Sequence, residues 1–206
     1  MTGIFGGSFN PPHVGHLAVA EACREAGGLE RVLWMPASTP PHKRDDPDMA
    51  PASTRLEMVK AAIATNDRFE VSALEVERRG VSYTVDTVRA LESRQAGAAN
   101  DQPALIIGGD SLAGFERWRE PREIVARARL VVYRRPGDGV DLGALPHWLR
   151  DVVTTVEGPG LEVSSTEVRA RIAAGRTVRY LVPDPVLEVV RANGLYREGI
   201  EGAQVP

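Results

Sequence analysis

The chain has 206 residues, of which 43% are apolar and 26% charged, a length that suits one domain and a composition that excludes a disordered chain. With 25 Lys and Arg against 28 Asp and Glu the net charge is −3; long nucleic acid, which needs clustered cations, is excluded as a partner, and any phosphate site is local. A single cysteine, Cys23, excludes an internal disulfide and a multi-cysteine zinc site, and points to a reduced, cytoplasmic compartment.

Residues 1–20 carry no charge, yet Gly3, Gly6, Gly7, Gly15, Pro11, Pro12, His13 and His16 interrupt the run and no basic segment precedes it. That pattern is neither a secretory leader nor a membrane span. The first strand is predicted over Gly3–Gly6, and the helix after it over His16–Ala26, with Leu17, Ala20 and Cys23 on one stripe and Gly27-Gly28 as its stop. Between them lies Gly6-Gly7-Ser8-Phe9-Asn10-Pro11-Pro12-His13-Val14-Gly15-His16. Glycines let backbone N–H groups approach an anion, and the helix start adds a partial positive charge. The two imidazoles could share a metal ion instead. No carboxylate is interleaved, however, and the glycine context suits phosphate better than zinc.

A second strand is predicted over Arg31–Met35. A loop follows over Pro36–Pro51, with five prolines and the charged run Lys43-Arg44-Asp45-Asp46, long enough to be functional or mobile. Thr54-x-x-Glu57 reads as a capping box for a helix carrying Leu56, Val59 and Ile63, and Val85, Val88 and Leu91 repeat the helical spacing. Further strands are predicted over Ala104–Gly108, Leu130–Tyr133 and Val152–Val156. Ser164-x-x-Glu167 is another capping box, with the hydroxyls of Ser165 and Thr166 at the helix start and the guanidinium of Arg169 one turn on. Asp184 followed by Pro185 predicts the start of a last helix, ended by Gly194. Strands alternating with helices predict an α/β fold: a Rossmann-like, open, twisted parallel sheet with helices on both faces and ligands at the carboxyl ends of its strands. Residues 1–198 are expected to form the single domain, with 199–206 a tail that has little to bury.

The segment GGSFNPPHVGH resembles the (T/H)xGH motif of the nucleotidylyltransferases, with wording closest to the bacterial nicotinate mononucleotide adenylyltransferases. Ser164-Ser165-Thr166-Glu167-Val168-Arg169 resembles the family's ISSTxIR motif. Pro40-Pro41-His42-Lys43, Ser82-Tyr83-Thr84 and Gly108-Gly109-Asp110-Ser111-Leu112 through Trp118 are similar to further family stretches, so the likeness runs from Gly3 to Tyr196. It implies transfer of AMP from ATP to nicotinate mononucleotide, with pyrophosphate released and Mg²⁺ carried in on ATP. His16, His13, Lys43 and Arg169 would be the catalytic groups. ATP would meet Gly6, Gly7, Ser8, Phe9, His13, His16, Gly108, Asp110, Ser165, Thr166 and Arg169. The mononucleotide would meet Ser8, Lys43, Tyr83, Thr84, Trp118, Arg119 and Arg134, with Trp118 stacked on the pyridine ring. No resident metal and no membrane partner is implied, and a homo-oligomer is left open. Departures from the usual wording are Ser8 for Thr, Asn10 for Asp and Gly109 for Ala. Of these, Asn10 removes a charge near the phosphates. Alternatives are a sister transferase for nicotinamide mononucleotide or phosphopantetheine, or a non-catalytic nucleotide-binding regulatory module. The echo of the HIGH motif of class I tRNA synthetases meets a chain too short and acidic for an anticodon domain.

Overall fold

The computed structural model describes residues 1–94, 102–135, 137 and 141–197. The expected tail at 199–206 and Pro136 lie outside the described residues. Six strands, β1 (Thr2–Gly7), β2 (Arg31–Pro36), β3 (Phe69–Val71), β4 (Ala104–Gly108), β5 (Arg129–Arg134) and β6 (Val153–Glu157), form one sheet in the order β3-β2-β1-β4-β5-β6. Every pairing is parallel. The helices are α1 (Val14–Ala26), α2 (Ala52–Ile63), α3 (Leu74–Arg78), α4 (Thr84–Arg94), α5 (Gly109–Ala113), α6 (Pro121–Arg127), α7 (His147–Arg150), α8 (Ser165–Ala173) and α9 (Asp184–Ala192).

Alternation along the strands divides the core in two. Phe5, Trp34, Ile106, Val131 and Tyr133 face one layer, which α1, α2, α8 and α9 cover. Ile4, Met35, Leu105, Ile107, Leu130 and Val132 face the other, which α3 to α7 cover. Period-two side chains on a doubly covered sheet produce this arrangement, and each fully buried large apolar side chain contributes about 1.5–3 kcal/mol. The strand order reverses between β1 and β4, so the turns after these two strands diverge and leave a crevice.

Three helix starts differ from expectation. α1 begins at Val14 because His13, in an extended conformation, takes the cap position. α2 begins at Ala52, where the Pro51 carbonyl receives the Arg55 N–H at 3.0 Å; Thr54 is then a buried first-turn residue and caps nothing. In α9, Pro183 is the cap, its carbonyl receives the N–H of Val186 at 3.0 Å, and Asp184 is already helical. Gly194 follows α9 with φ +59, the left-handed conformation that ends helices. β3 was not anticipated.

Candidate active site

The turn after β1 is shaped from beneath. Phe9 takes φ +48, and its ring is 1% exposed, edge-on to Phe5 at 5.5 Å and to His16 at 5.2 Å. A Cβ on Gly7 would come within 2.9 Å of that ring. Phe9 is therefore the floor under His16, and only its backbone can meet a ligand. Gly15 has the same logic: a Cβ there would lie 2.8 Å from Val163 and 3.1 Å from His13 Nδ1. Its bareness lets α1 approach the segment before α8 while His13 lies across it.

The two imidazoles stack with centroids 3.7 Å apart and planes at 31°. The His13 backbone N–H donates to His16 Nδ1 at 3.2 Å. An accepting Nδ1 places the proton of neutral His16 on Nε2, which makes that nitrogen a donor. Burial holds the His13 pKa at about 4. Burial, followed by the nearby charges of His13 and Lys43, holds His16 well below the ordinary imidazole value. Both rings are neutral at pH 7 before an anion arrives. His13 Nδ1 is buried and makes no hydrogen bond among the described residues.

A cleft of about 380 Å³ gathers His13, His16, Lys43, Gly108, Asp110, Arg135, Ser165 and Thr166, with Leu161 and Val163 as apolar wall. α8 is fixed against it at its first turn. The Ser164 hydroxyl accepts the Glu167 N–H at 3.1 Å, while Ser165 Oγ donates to the Pro11 carbonyl at 2.9 Å. The Ser165 hydroxyl thus anchors the helix to the turn, and its contribution to a phosphate falls to the helix N–H groups. Arg169 donates to the Asn10 carbonyl at 3.1 Å and lines the neighbouring cleft with Pro47, Asp48 and Tyr196. Gly6 is exposed at the end of β1, and Ser8 accepts Arg55 through its carbonyl.

The second cleft, about 470 Å³, is lined by Pro41, His42, Tyr83, Thr84, Asp110, Arg117, Trp118 and Arg119 among others. Trp118 rests on Phe115 with centroids 4.9 Å apart. Arg119 lies 4.7 Å over the Tyr83 ring, and Arg44 donates to Tyr83 Oη at 2.9 Å. Thr84 opens α4, whose first turn bears N–H groups without helical partners. Asp110 lines both clefts, so they meet at the end of β4.

Of the expected mononucleotide residues, Tyr83, Thr84, Trp118 and Arg119 line the second cleft, Lys43 lines the first, Ser8 lines neither, and nor does Arg134. It ion-pairs with Glu157 at 3.5 Å, and its neighbour Arg135 lines the first cleft. Alternation could have found it, since Arg135 extends the Val131 and Tyr133 face. Arg55 was also missed: 1% exposed, it donates to the carbonyls of Ala50, Ser8 and Ser38 at 2.9, 2.8 and 2.7 Å. No sequence signal marks it, because an arginine in the first turn of a helix ordinarily faces water.

The cytidylyltransferase-like family model matches residues 4–171. A protein of Salinibacter ruber named "Probable nicotinate-nucleotide adenylyltransferase" is 47% identical over 195 residues, covering 95% of this chain and 97% of the relative. One of the same name from Roseiflexus sp. is 46% identical over 198 residues, covering 95% and 97%. Among solved structures, Plasmodium falciparum nicotinic acid mononucleotide adenylyltransferase complexed with NaAD gives a TM-score of 0.74 at 17% identity, covering 95% of this chain and 96% of that one. The same enzyme complexed with APC gives 0.73 at 15%, with the same coverage. At such identities the structural likeness is one of fold, whereas the sequence relatives establish kinship along nearly the whole length. The chain belongs to the cytidylyltransferase-like family and, within it, to the nicotinate-nucleotide adenylyltransferases.

Proposed function

We propose that the protein transfers AMP from ATP to nicotinate mononucleotide. The carrying observation is that a cleft of imidazoles, cations and a helix start meets, at Asp110, a second cleft with an aromatic wall. The 5′-phosphate oxygen of the mononucleotide attacks the α-phosphorus in line. The bond from that phosphorus to the α,β-bridging oxygen breaks, and pyrophosphate leaves with the electron pair. No protein nucleophile is needed, so positioning and charge stabilisation supply the catalysis.

Placement, together with the family resemblance, supports the following roles. His16 Nε2–H and the Lys43 ammonium donate to phosphate oxygens, the N–H groups of α8 and Arg169 receive the triphosphate, and Trp118 stacks on the pyridine ring. The donor set fits an ion that arrives on ATP. Asp110 is the carboxylate shared by both clefts, and among the described residues no group of three or more His, Cys, Asp or Glu could cage a metal. Mg²⁺ would enter with the nucleotide and be held mainly by phosphate oxygens and water.

The test is turnover of purified protein with MgATP and, in separate reactions, nicotinate mononucleotide, nicotinamide mononucleotide and phosphopantetheine, read as pyrophosphate and as the coupled product. Nicotinate mononucleotide should be preferred over the amide by about 10²-fold or more in kcat/KM, because N–H groups donate to a carboxylate but oppose an amide NH₂. Equal values would remove the deamido assignment, and nucleotide binding without pyrophosphate would favour a regulatory module. EDTA should abolish turnover and Mg²⁺ restore it.

A further inference from the structure

Two segments far apart in sequence converge on one side chain in the turn after β1, and a third reaches the same residue's backbone carbonyl. Asn10 is 1% exposed. Its Nδ2 donates to the Asp48 carbonyl at 2.9 Å, and its Oδ1 accepts the Ala50 N–H at 3.0 Å and the Tyr196 hydroxyl at 2.7 Å. The amide's orientation is fixed whatever the hydroxyl does, since Asp48 C=O can only accept and Ala50 N–H can only donate. Its backbone carbonyl accepts Arg169 at 3.1 Å. A carboxylate at this position could not serve all of these partners. One of its oxygens would face the Asp48 carbonyl, and its charge would lie in the neighbourhood of Arg169.

The loop from 37 to 51 is held near both ends, and between them Arg44 donates to Tyr83 Oη at 2.9 Å. Near its root, the Ser38 N–H donates to Ser82 Oγ at 2.9 Å and the Ser38 carbonyl accepts Arg55. At its far end the attachments are Asn10 to Asp48 and Ala50, together with Arg55 to Ala50. Between these anchors stand Lys43 and Arg44, both exposed. An arch tethered at both ends samples less space than one tethered at one end. We propose that Asn10 is a positioning residue: its neutral amide ties the far end of the Lys43 arch and the chain after α9 to the phosphate turn, and leaves Arg169 to the triphosphate. The inference rests on the adenylyltransferase reading for its kinetic consequence, though not for its structural one.

Two readouts separate these consequences. Lys43 and Arg44 are trypsin sites, so cleavage there reports the arch without any turnover. In folded Asn10→Asp, loss of one hydrogen bond and a new carbonyl–carboxylate repulsion should raise the cleavage rate by about tenfold. The same variant should raise the KM for ATP by about tenfold and change the KM for nicotinate mononucleotide less than threefold. In a Lys43→Ala background, the further effect of Asn10→Asp on the KM for ATP should shrink, because residues acting through one another are not additive. Tyr196→Phe, which removes a single partner, should show the cleavage effect in weaker form. Unchanged cleavage in Asn10→Asp overturns the proposal, as do KM changes equal for both substrates or full additivity with Lys43→Ala. If wild-type protein turns over neither substrate while cleavage still rises in the variant, the tether stands and the functional reading fails.

Discussion

At the scale of single residues, the structure brings the two histidines to one cleft, but in an arrangement their spacing did not show. Two imidazoles three apart could have faced one ion side by side. They stack instead, and His16 Nδ1 is occupied by the His13 backbone N–H, which leaves Nε2–H as the group His16 offers the cleft. His16→Ala removes that preorganised donor and should lower kcat about 10²–10³-fold with the melting curve little changed; steady-state kinetics on the folded variant would detect it. His13 carries a different consequence. Its folded pKa of about 4 lies below the ordinary imidazole value because burial penalises the cation. Between pH 6.5 and about 4 the unfolded chain therefore binds a proton that the folded chain refuses, so stability is full above this window and falls through it, by up to about 3 kcal/mol. Denaturant melts at pH 7 and pH 4.5 should show a smaller loss in His13→Asn than in wild type. An equal loss would mean that His13 is protonated in the fold.

At the scale of elements, legibility tracks length and periodicity. β4 occupies the residues expected from its apolar run, and α1 and α4 show their stripes in the sequence. β3 has three residues, and α3, α5, α6 and α7 have four to seven, too few for a period to declare itself. The glycine turn was legible because its residue types are unusual together. Arg55 and the partners of Asn10 were not, because tertiary contacts across tens of residues leave no local pattern. The end of β5 lies between these cases. Alternation sends Arg134 toward Glu157, and Arg135 lines the phosphate-side cleft. Arg135→Ala should raise the KM for ATP by about tenfold, as expected for a lost charge-assisted contact, while Arg134→Ala changes either KM by less than about threefold. The reverse order of effects would return the role to Arg134.

At the scale of the whole molecule, the parallel sheet places two clefts on either side of the end of β4 and lets each be filled from a different layer of helices. The phosphate-side cleft draws mainly on α1 and α8, which cover one face, with the first turn of α5; the aromatic cleft draws on α4 and α5, which cover the other. A ligand confined to one cleft stabilises the fold by its own occupancy, which at a concentration 100 times Kd is about 2.7 kcal/mol. For a chain of this size that corresponds to a rise in Tm of roughly 5–11 °C. Separate clefts mean that ATP and nicotinate mononucleotide should each produce such a shift alone, whereas the dinucleotide product, reaching into both, should exceed either at equal concentration. Trp118→Ala divides the contributions. It deletes the wall of one cleft while leaving the other untouched, so the shift from the mononucleotide should largely vanish, that from the product should shrink, and that from ATP should persist. Thermal melts of wild type and variant with each ligand make the comparison; loss of the ATP shift in Trp118→Ala would show that the two clefts are one site energetically, and that the division at Asp110 does not separate the substrates.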